Sequence, residues 1–84
     1  MNISVLSPDK ELFSGDITSV KVPGISGQFE ILNNHAAIVS SLGEGQVRII
    51  KSSGERMTFK IEKGFIEVLR NEVSLLVQGI TELA

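Results

Sequence analysis

The chain has 84 residues, a net charge of −2 and no cysteine. Its length allows one small domain with a free energy of unfolding of roughly 4–12 kcal/mol. Without cysteine it can form neither disulfides nor thiolate metal sites. Its 8 basic and 10 acidic residues argue against nucleic acid as the partner, because phosphate backbones attract domains with a basic surplus.

The composition is typical of β-structure. Valine and isoleucine supply 18 residues and alanine supplies 3, and β-branched side chains fit a pleated surface better than a helix. No segment repeats apolar residues at helical spacing over three turns, so we expect no helix. No apolar run approaches the length of a membrane span. The strand pattern begins at Asn2, and we therefore expect no signal or transit peptide.

Alternation of apolar and polar residues predicts eight strands, near residues 2–6, 16–22, 28–32, 36–41, 46–52, 56–62, 64–69 and 72–79. Turn-forming residues separate these runs at the spacing of sandwiches and barrels. They are Pro8-Asp9, Ser14-Gly15, Pro23-Gly24, Gly43-Glu44-Gly45, Ser53-Gly54 and Arg70-Asn71. We predict an all-β fold, a two-layer antiparallel β-sandwich, with residues 1–84 forming a single domain.

The same alternation identifies core positions. Phe59 and Ile61 share one strand face, as do Val73 and Leu75, so we expect all four in the core. We also expect all four phenylalanines there. Leu76 interrupts the alternation of its strand, which favours a strand that contacts water only at its ends.

The sequence offers few residues for catalysis. His35 is the only histidine, which excludes a two-histidine metal site, and a general base also needs a nucleophile and an orienting carboxylate. We therefore interpret His35 as a structural or interface residue. The glycines of Gly24-Ile25-Ser26-Gly27 lack the Gly-Lys-Ser/Thr ending of a phosphate loop. We expect no catalytic, cofactor or metal site.

The segment from Pro23 to Val39 has two interpretations. It contains a glycine pair, a short strand and the small or polar residues 33–37. It is either an ordinary long hairpin or a contact loop, since loops on a rigid sandwich commonly carry binding.

Four segments, taken in order, resemble one protein family. They are Ser7-Pro8-Asp9 with Leu12-Phe13-Ser14-Gly15, then Gly24 to Ala36, Leu42-Gly43-Glu44-Gly45-Gln46-Val47-Arg48-Ile49, and Gly64-Phe65-Ile66-Glu67-Val68. The family is the epsilon subunit of F-type ATP synthases (delta in mitochondria), and the resemblance is to its N-terminal β domain. Two residues depart from its pattern. Ala37 stands where proline is usual, and Lys63 replaces the first glycine of a Gly-Gly pair.

The resemblance implies a non-catalytic subunit of the central stalk that packs on the gamma subunit and on the polar loops of the c-ring. Gln28 falls where the family often has an acidic residue facing the ring, and Glu30 could supply charge nearby. His35, Ala36 and Ala37 fall on the segment associated with the gamma side. The expected location is the cytoplasmic face of the bacterial inner membrane, or the thylakoid membrane. There the chain would be a peripheral membrane protein.

The family usually continues into two C-terminal helices with inhibitory and nucleotide-sensing roles. Here only Ile80 to Ala84 follow Gly79, and five residues are too few to form a stable helix. The resemblance therefore implies a short form that binds no ATP and cannot inhibit through those helices. The alternative is a lipoyl or biotinyl carrier, which needs a lysine at the tip of a tight hairpin midway along the chain. That position holds Ser40-Ser41, and Lys51 precedes the next turn.

Overall fold

The computed structural model describes residues 1–82, and its regular elements are nine β-strands. These are β1 (Asn2–Leu6), β2 (Glu11–Gly24), β3 (Gly27–Leu32), β4 (Ile38–Leu42), β5 (Gly45–Lys51), β6 (Arg56–Ile61), β7 (Lys63–Leu69), β8 (Glu72–Gln78) and β9 (Thr81–Glu82). Residues 1–82 contain no helix that could cross a membrane. The prediction of an all-β fold is confirmed.

The strands form two layers joined through β2. In the first layer β4, β7, β8 and β1 lie side by side, and β1 also pairs with the first half of β2. In the second layer the other half of β2 pairs with β3 and β5, followed by β6 and β9. A bulge between Ile17 and Ser19 shifts the alternation by one residue, so that Ile17 and Val20 are both buried. The predicted two-layer sandwich is confirmed.

The predicted turn at Ser14-Gly15 is wrong, because it lies inside the 14-residue strand β2. Gly15 pairs with Ile3, and a Cβ on Gly15 would lie 3.1 Å from the ring of Phe13. An aromatic ring that covers a strand glycine in this way compensates for its missing side chain. Pro23-Gly24 ends β2 directly before the turn at Ile25 and Ser26. Pro23 pairs with Gln28 in the ladder between β2 and β3.

Three further details differ from the sequence prediction. The pairing of β1 with β8 is parallel, although the other neighbouring strands are antiparallel as predicted. Strand β4 begins at Ile38, two residues later than expected. Thr81 and Glu82 form β9 against β6, where no strand was predicted. Leu83 and Ala84, the rest of the predicted tail, lie outside the described residues.

The core lies between the layers and is built from alternate residues of the strands. Its buried apolar residues are Ile3, Val5, Ile17, Val20, Val22, Ile31, Leu42, Val47, Ile49, Phe59, Ile61, Ile66, Val68, Val73, Leu75 and Val77. This set contains the four predicted core residues. Phe13 and Phe29 pack against it while partly exposed. The expectation is wrong for Phe65 and Leu76, which are 40% and 48% exposed because both point away from the core.

The predicted hairpin between β5 and β6 is confirmed. The Gly54 N–H donates to the Lys51 carbonyl at 2.8 Å, and Gly54 has a φ of 92°, a conformation that glycine adopts without steric cost. The turn between β7 and β8 is also confirmed. Arg70 and Asn71 both have positive φ, 51° and 64°, as the two central residues of a type I′ hairpin require.

Candidate functional site: a protein-docking surface

The outer face of the first layer carries exposed apolar side chains among polar ones, which include Ser4, Ser74, Glu67 and Glu72. Leu6 pairs with Leu76, which in turn pairs with Phe65, so these three side chains form one row across β1, β8 and β7. Val39 on β4 and Leu69 on β7 point to the same side and are 62% and 53% exposed. We call these five residues the apolar face. The row of Leu6, Leu76 and Phe65 is continuous, whereas Glu67 separates it from Val39 and Leu69. A row of exposed apolar side chains on a sheet marks a surface that contacts another protein.

A depression lies beside this row. It is lined by Leu6, Pro8, Phe65 and Leu76 among others, and its volume is about 340 Å³. Pockets of this size lined by apolar side chains can receive one large side chain of a protein partner. The apolar face therefore combines a row of exposed apolar side chains with a depression that can receive a side chain of the partner.

The outer face of the second layer is different in character. Glu30, Lys21 and Arg48 form a row across β3, β2 and β5. Arg48 also pairs with Thr58 on β6, and Lys60 lies two residues further along that strand. Charged side chains of both signs are easily solvated, so the charged face needs no partner to cover it. The second outer face is thus the more charged of the two, although Leu32, on the same side of β3 as Glu30, is 54% exposed.

Glu30 is already paired within the chain. Its Oε2 lies 3.1 Å from an Arg48 guanidinium nitrogen, in a pair whose side chains are partly exposed. Exposed pairs contribute at most about 1 kcal/mol to stability. The Arg48 guanidinium partly neutralises the Glu30 carboxylate, so Glu30 attracts a positively charged partner less strongly.

Gln28 lies near the tip of the β2–β3 hairpin and is exposed. At this tip Ile25 is 70% exposed. The close turn depends on Gly24, because a Cβ there would lie 2.6 Å from the Gly27 carbonyl oxygen and 2.7 Å from the Phe29 ring. The chain therefore presents an isoleucine and a neutral amide on a tight hairpin at one end of the sandwich. Residues 23–32 therefore form an ordinary hairpin, which was the first of the two interpretations of the segment from Pro23 to Val39.

His35, Ala36 and Ala37 lie in the loop between β3 and β4. The His35 N–H donates to the Leu32 carbonyl at 3.1 Å, closing a turn in which Asn34 has a φ of 64°. His35 is half-buried, and its Nδ1 lies 2.8 Å from the Ala36 carbonyl oxygen, while Ala36 and Ala37 are exposed. This loop leads directly into β4, whose first residue, Ile38, pairs with Val68 on β7.

The five sequence-predicted contact residues therefore do not form one cluster. Gln28 is at the start of β3 and His35 lies beyond its other end. The strand has six residues and is roughly 20 Å long. Glu30 lies between them on the charged face. The apolar face was not predicted from the sequence, although Leu76 gave a signal. Its break in the alternation marked an exposed apolar residue and not a strand buried on both faces.

Other polar groups serve the fold. Asp16 accepts hydrogen bonds from the Ser52 hydroxyl at 2.6 Å and from the Met1 ammonium at 3.1 Å. The hydrogen bond from Ser52, followed by the contacts of the ammonium group, holds the pKa of Asp16 below its usual value. Within residues 1–82, no three His, Asp or Glu side chains are grouped as metal ligands would be.

Comparison with known proteins agrees with the β-sandwich fold. The family model for the β-sandwich domain of the ATP synthase delta/epsilon chain matches residues 1–82. The chain belongs to this family. A relative named ATP synthase epsilon chain from Leptospira borgpetersenii is 48% identical over 77 residues, covering 90% of this chain and 59% of the relative. One with the same name from Chlorobium limicola is 38% identical over 79 residues, covering 94% of this chain and 90% of the relative.

A solved structure contains a chain whose fold is similar to that of this protein. It is a cryo-EM structure of the central stalk and c-ring of the mitochondrial ATP synthase of Tetrahymena thermophila, matched at a TM-score of 0.79 and 22% identity. The match covers 98% of this chain and 66% of that one. The chain thus spans little more than half of some relatives and most of others.

Proposed function

We propose that this protein is a non-catalytic subunit of the rotor of an F-type ATP synthase, which packs on the gamma subunit and the c-ring and couples ion flow to ATP synthesis. Membership of the delta/epsilon family supports this proposal. The apolar face is the observation on the molecule itself that carries it. A small domain that exposes Phe65, Leu69 and Leu76 needs a protein partner to cover them.

Two surfaces of the sandwich take different partners in this proposal. The apolar face and the adjoining loop of His35, Ala36 and Ala37 contact gamma. Small residues in that loop allow the backbone of the partner to approach closely. The hairpin tip with Gln28 faces the polar loops of the c-ring. Because Gln28 is neutral and Glu30 is paired with Arg48, this contact relies on hydrogen bonds and on Ile25 more than on ion pairs.

The proposed location follows from the partners. The subunit is peripheral and touches the membrane only through the complex, on the cytoplasmic side of a bacterial inner membrane or at a thylakoid membrane. The carrier alternative has less support. Lys51, which precedes the β5–β6 turn, lies 3.3 Å from Glu55 and 4.8 Å from the centre of the Phe13 ring. A lysine held in this way is not presented for covalent attachment of a cofactor.

The test is binding of the chain to a gamma–c-ring assembly prepared without this subunit. Leu76→Gln should weaken binding because it places a polar group in the contact, whereas Thr58→Gln introduces the same side chain on the charged face and should not. Ala36→Trp should also weaken binding, because an indole on the loop blocks close approach. Thermal midpoints of the free variants serve as the control, since surface substitutions stay within about 0.5 kcal/mol of neutral. Unchanged affinity for both Leu76→Gln and Ala36→Trp would contradict the placement.

A further inference from the structure

The loop that carries His35 is tied to a distant turn by one side chain. The Asn71 Oδ1 accepts a hydrogen bond from the Asn34 N–H at 2.8 Å, and the Asn71 Nδ2 donates to the Asn33 Oδ1 at 2.8 Å. Both the oxygen and the nitrogen of the Asn71 side-chain amide therefore form hydrogen bonds with the two residues that precede His35. The contact joins positions separated by 37 and 38 residues along the chain.

Asn71 is itself held in place by the backbone. It lies in the β7–β8 turn with a φ of 64°, a conformation that asparagine tolerates better than most residues. Its carbonyl oxygen accepts a hydrogen bond from the Asn2 N–H at 3.3 Å. The side chain thus projects from a tight turn that is anchored to β1, and a rigid support of this kind can fix a flexible loop.

We propose that Asn71 is a positioning residue, which holds the loop of His35, Ala36 and Ala37 in the shape that contacts gamma. The inference rests on the proposed function of that loop. Ala36 and Ala37 are exposed and lie outside regular structure, and neither imposes the restriction on φ that a proline would. The bidentate amide of Asn71 supplies a restraint on the other side of His35. A loop that is ordered before binding loses less conformational entropy when the complex forms.

The experiment compares Asn71→Gly with Arg70→Gly in the full chain. Glycine keeps the positive φ of the turn at either position, but only the first substitution removes the two hydrogen bonds to the loop. Asn33→Asp is the conservative variant, because its carboxylate still accepts from the Asn71 Nδ2. Two quantities are measured: hydrogen exchange of the Asn34 amide in the free chain, and affinity for the gamma–c-ring assembly prepared without this subunit.

In Asn71→Gly we expect the Asn34 amide to exchange about tenfold faster and affinity to fall about three- to tenfold. Arg70→Gly and Asn33→Asp should leave both quantities near wild type. Unchanged exchange of Asn34 in Asn71→Gly, or faster exchange with unchanged affinity, would overturn the positioning role and leave the rotor function standing. Failure of the wild-type chain to bind the assembly would overturn both.

Discussion

Leu75 and Leu76 are neighbours in β8 that point to opposite sides of their sheet, so the same substitution at each separates core packing from partner contact. Leu75 is 0% exposed and Leu76 is 48% exposed. Leu75→Ala should lower the free energy of unfolding by about 2–5 kcal/mol, because it removes buried carbons and leaves a cavity. Leu76→Ala removes the same carbons where half the surface is already in water. At about 0.8 kcal/mol per fully buried methylene, its cost should be about 1 kcal/mol.

Urea unfolding measures both costs from the shift in midpoint at constant slope. The two variants make the same change in the same strand, so any difference in strand propensity largely cancels. Affinity for the gamma–c-ring assembly should show the opposite order: Leu76→Ala weakens it, and Leu75→Ala leaves it unchanged once the folded fraction is taken into account. A Leu76→Ala variant as unstable as Leu75→Ala would refute the assignment of the two faces. Affinities that follow stability would refute the docking surface.

Three further outcomes follow from the fold. Phe59→Ala should cost about 3–5 kcal/mol and bring a domain of this size close to unfolding, which calorimetry would detect as a large fall in melting temperature. Gly24→Ala should cost roughly 1–3 kcal/mol because its methyl group meets the Gly27 backbone, and a normal melting temperature would contradict the tight hairpin. The lowered pKa of Asp16 means that its contribution to stability is present above the ordinary carboxyl value of 3.8 and is lost as pH falls through the lower folded value. Asp16→Asn should flatten that acid limb in unfolding curves recorded against pH.

The strands and the core could be predicted from the sequence because one buried face per strand imposes a period of two. Phe59, Ile61, Val73 and Leu75 followed this rule and are buried. The turn predicted at Gly15 is wrong for a different reason. A glycine usually indicates a turn, but here an aromatic neighbour keeps the strand intact. It also cannot give strand order, and so the parallel pairing of β1 with β8 was missed.

The candidate site was less predictable for a physical reason. The apolar face assembles side chains from four strands, and only the cross-strand register brings Leu6, Phe65 and Leu76 together. A strand pattern shows that a residue alternates, but not what lies beside it on the next strand. The link between Asn71 and Asn33 likewise joins two turns that are far apart in sequence. The turn at Arg70-Asn71 was predicted and residues 33–37 were placed in a long hairpin or contact loop, whereas the contact between them was not predicted.

The central claim is that this subunit couples the rotor to the ring, and reconstitution tests it most directly. ATP synthase prepared without the subunit is placed in vesicles, the 84-residue chain is added, and ATP hydrolysis and ion pumping are followed together. We expect the chain to restore pumping with undiminished hydrolysis, and Leu76→Gln to do so only at higher concentration. Pumping that stays uncoupled at saturating chain, or strong inhibition of hydrolysis that ATP relieves, would contradict the central claim.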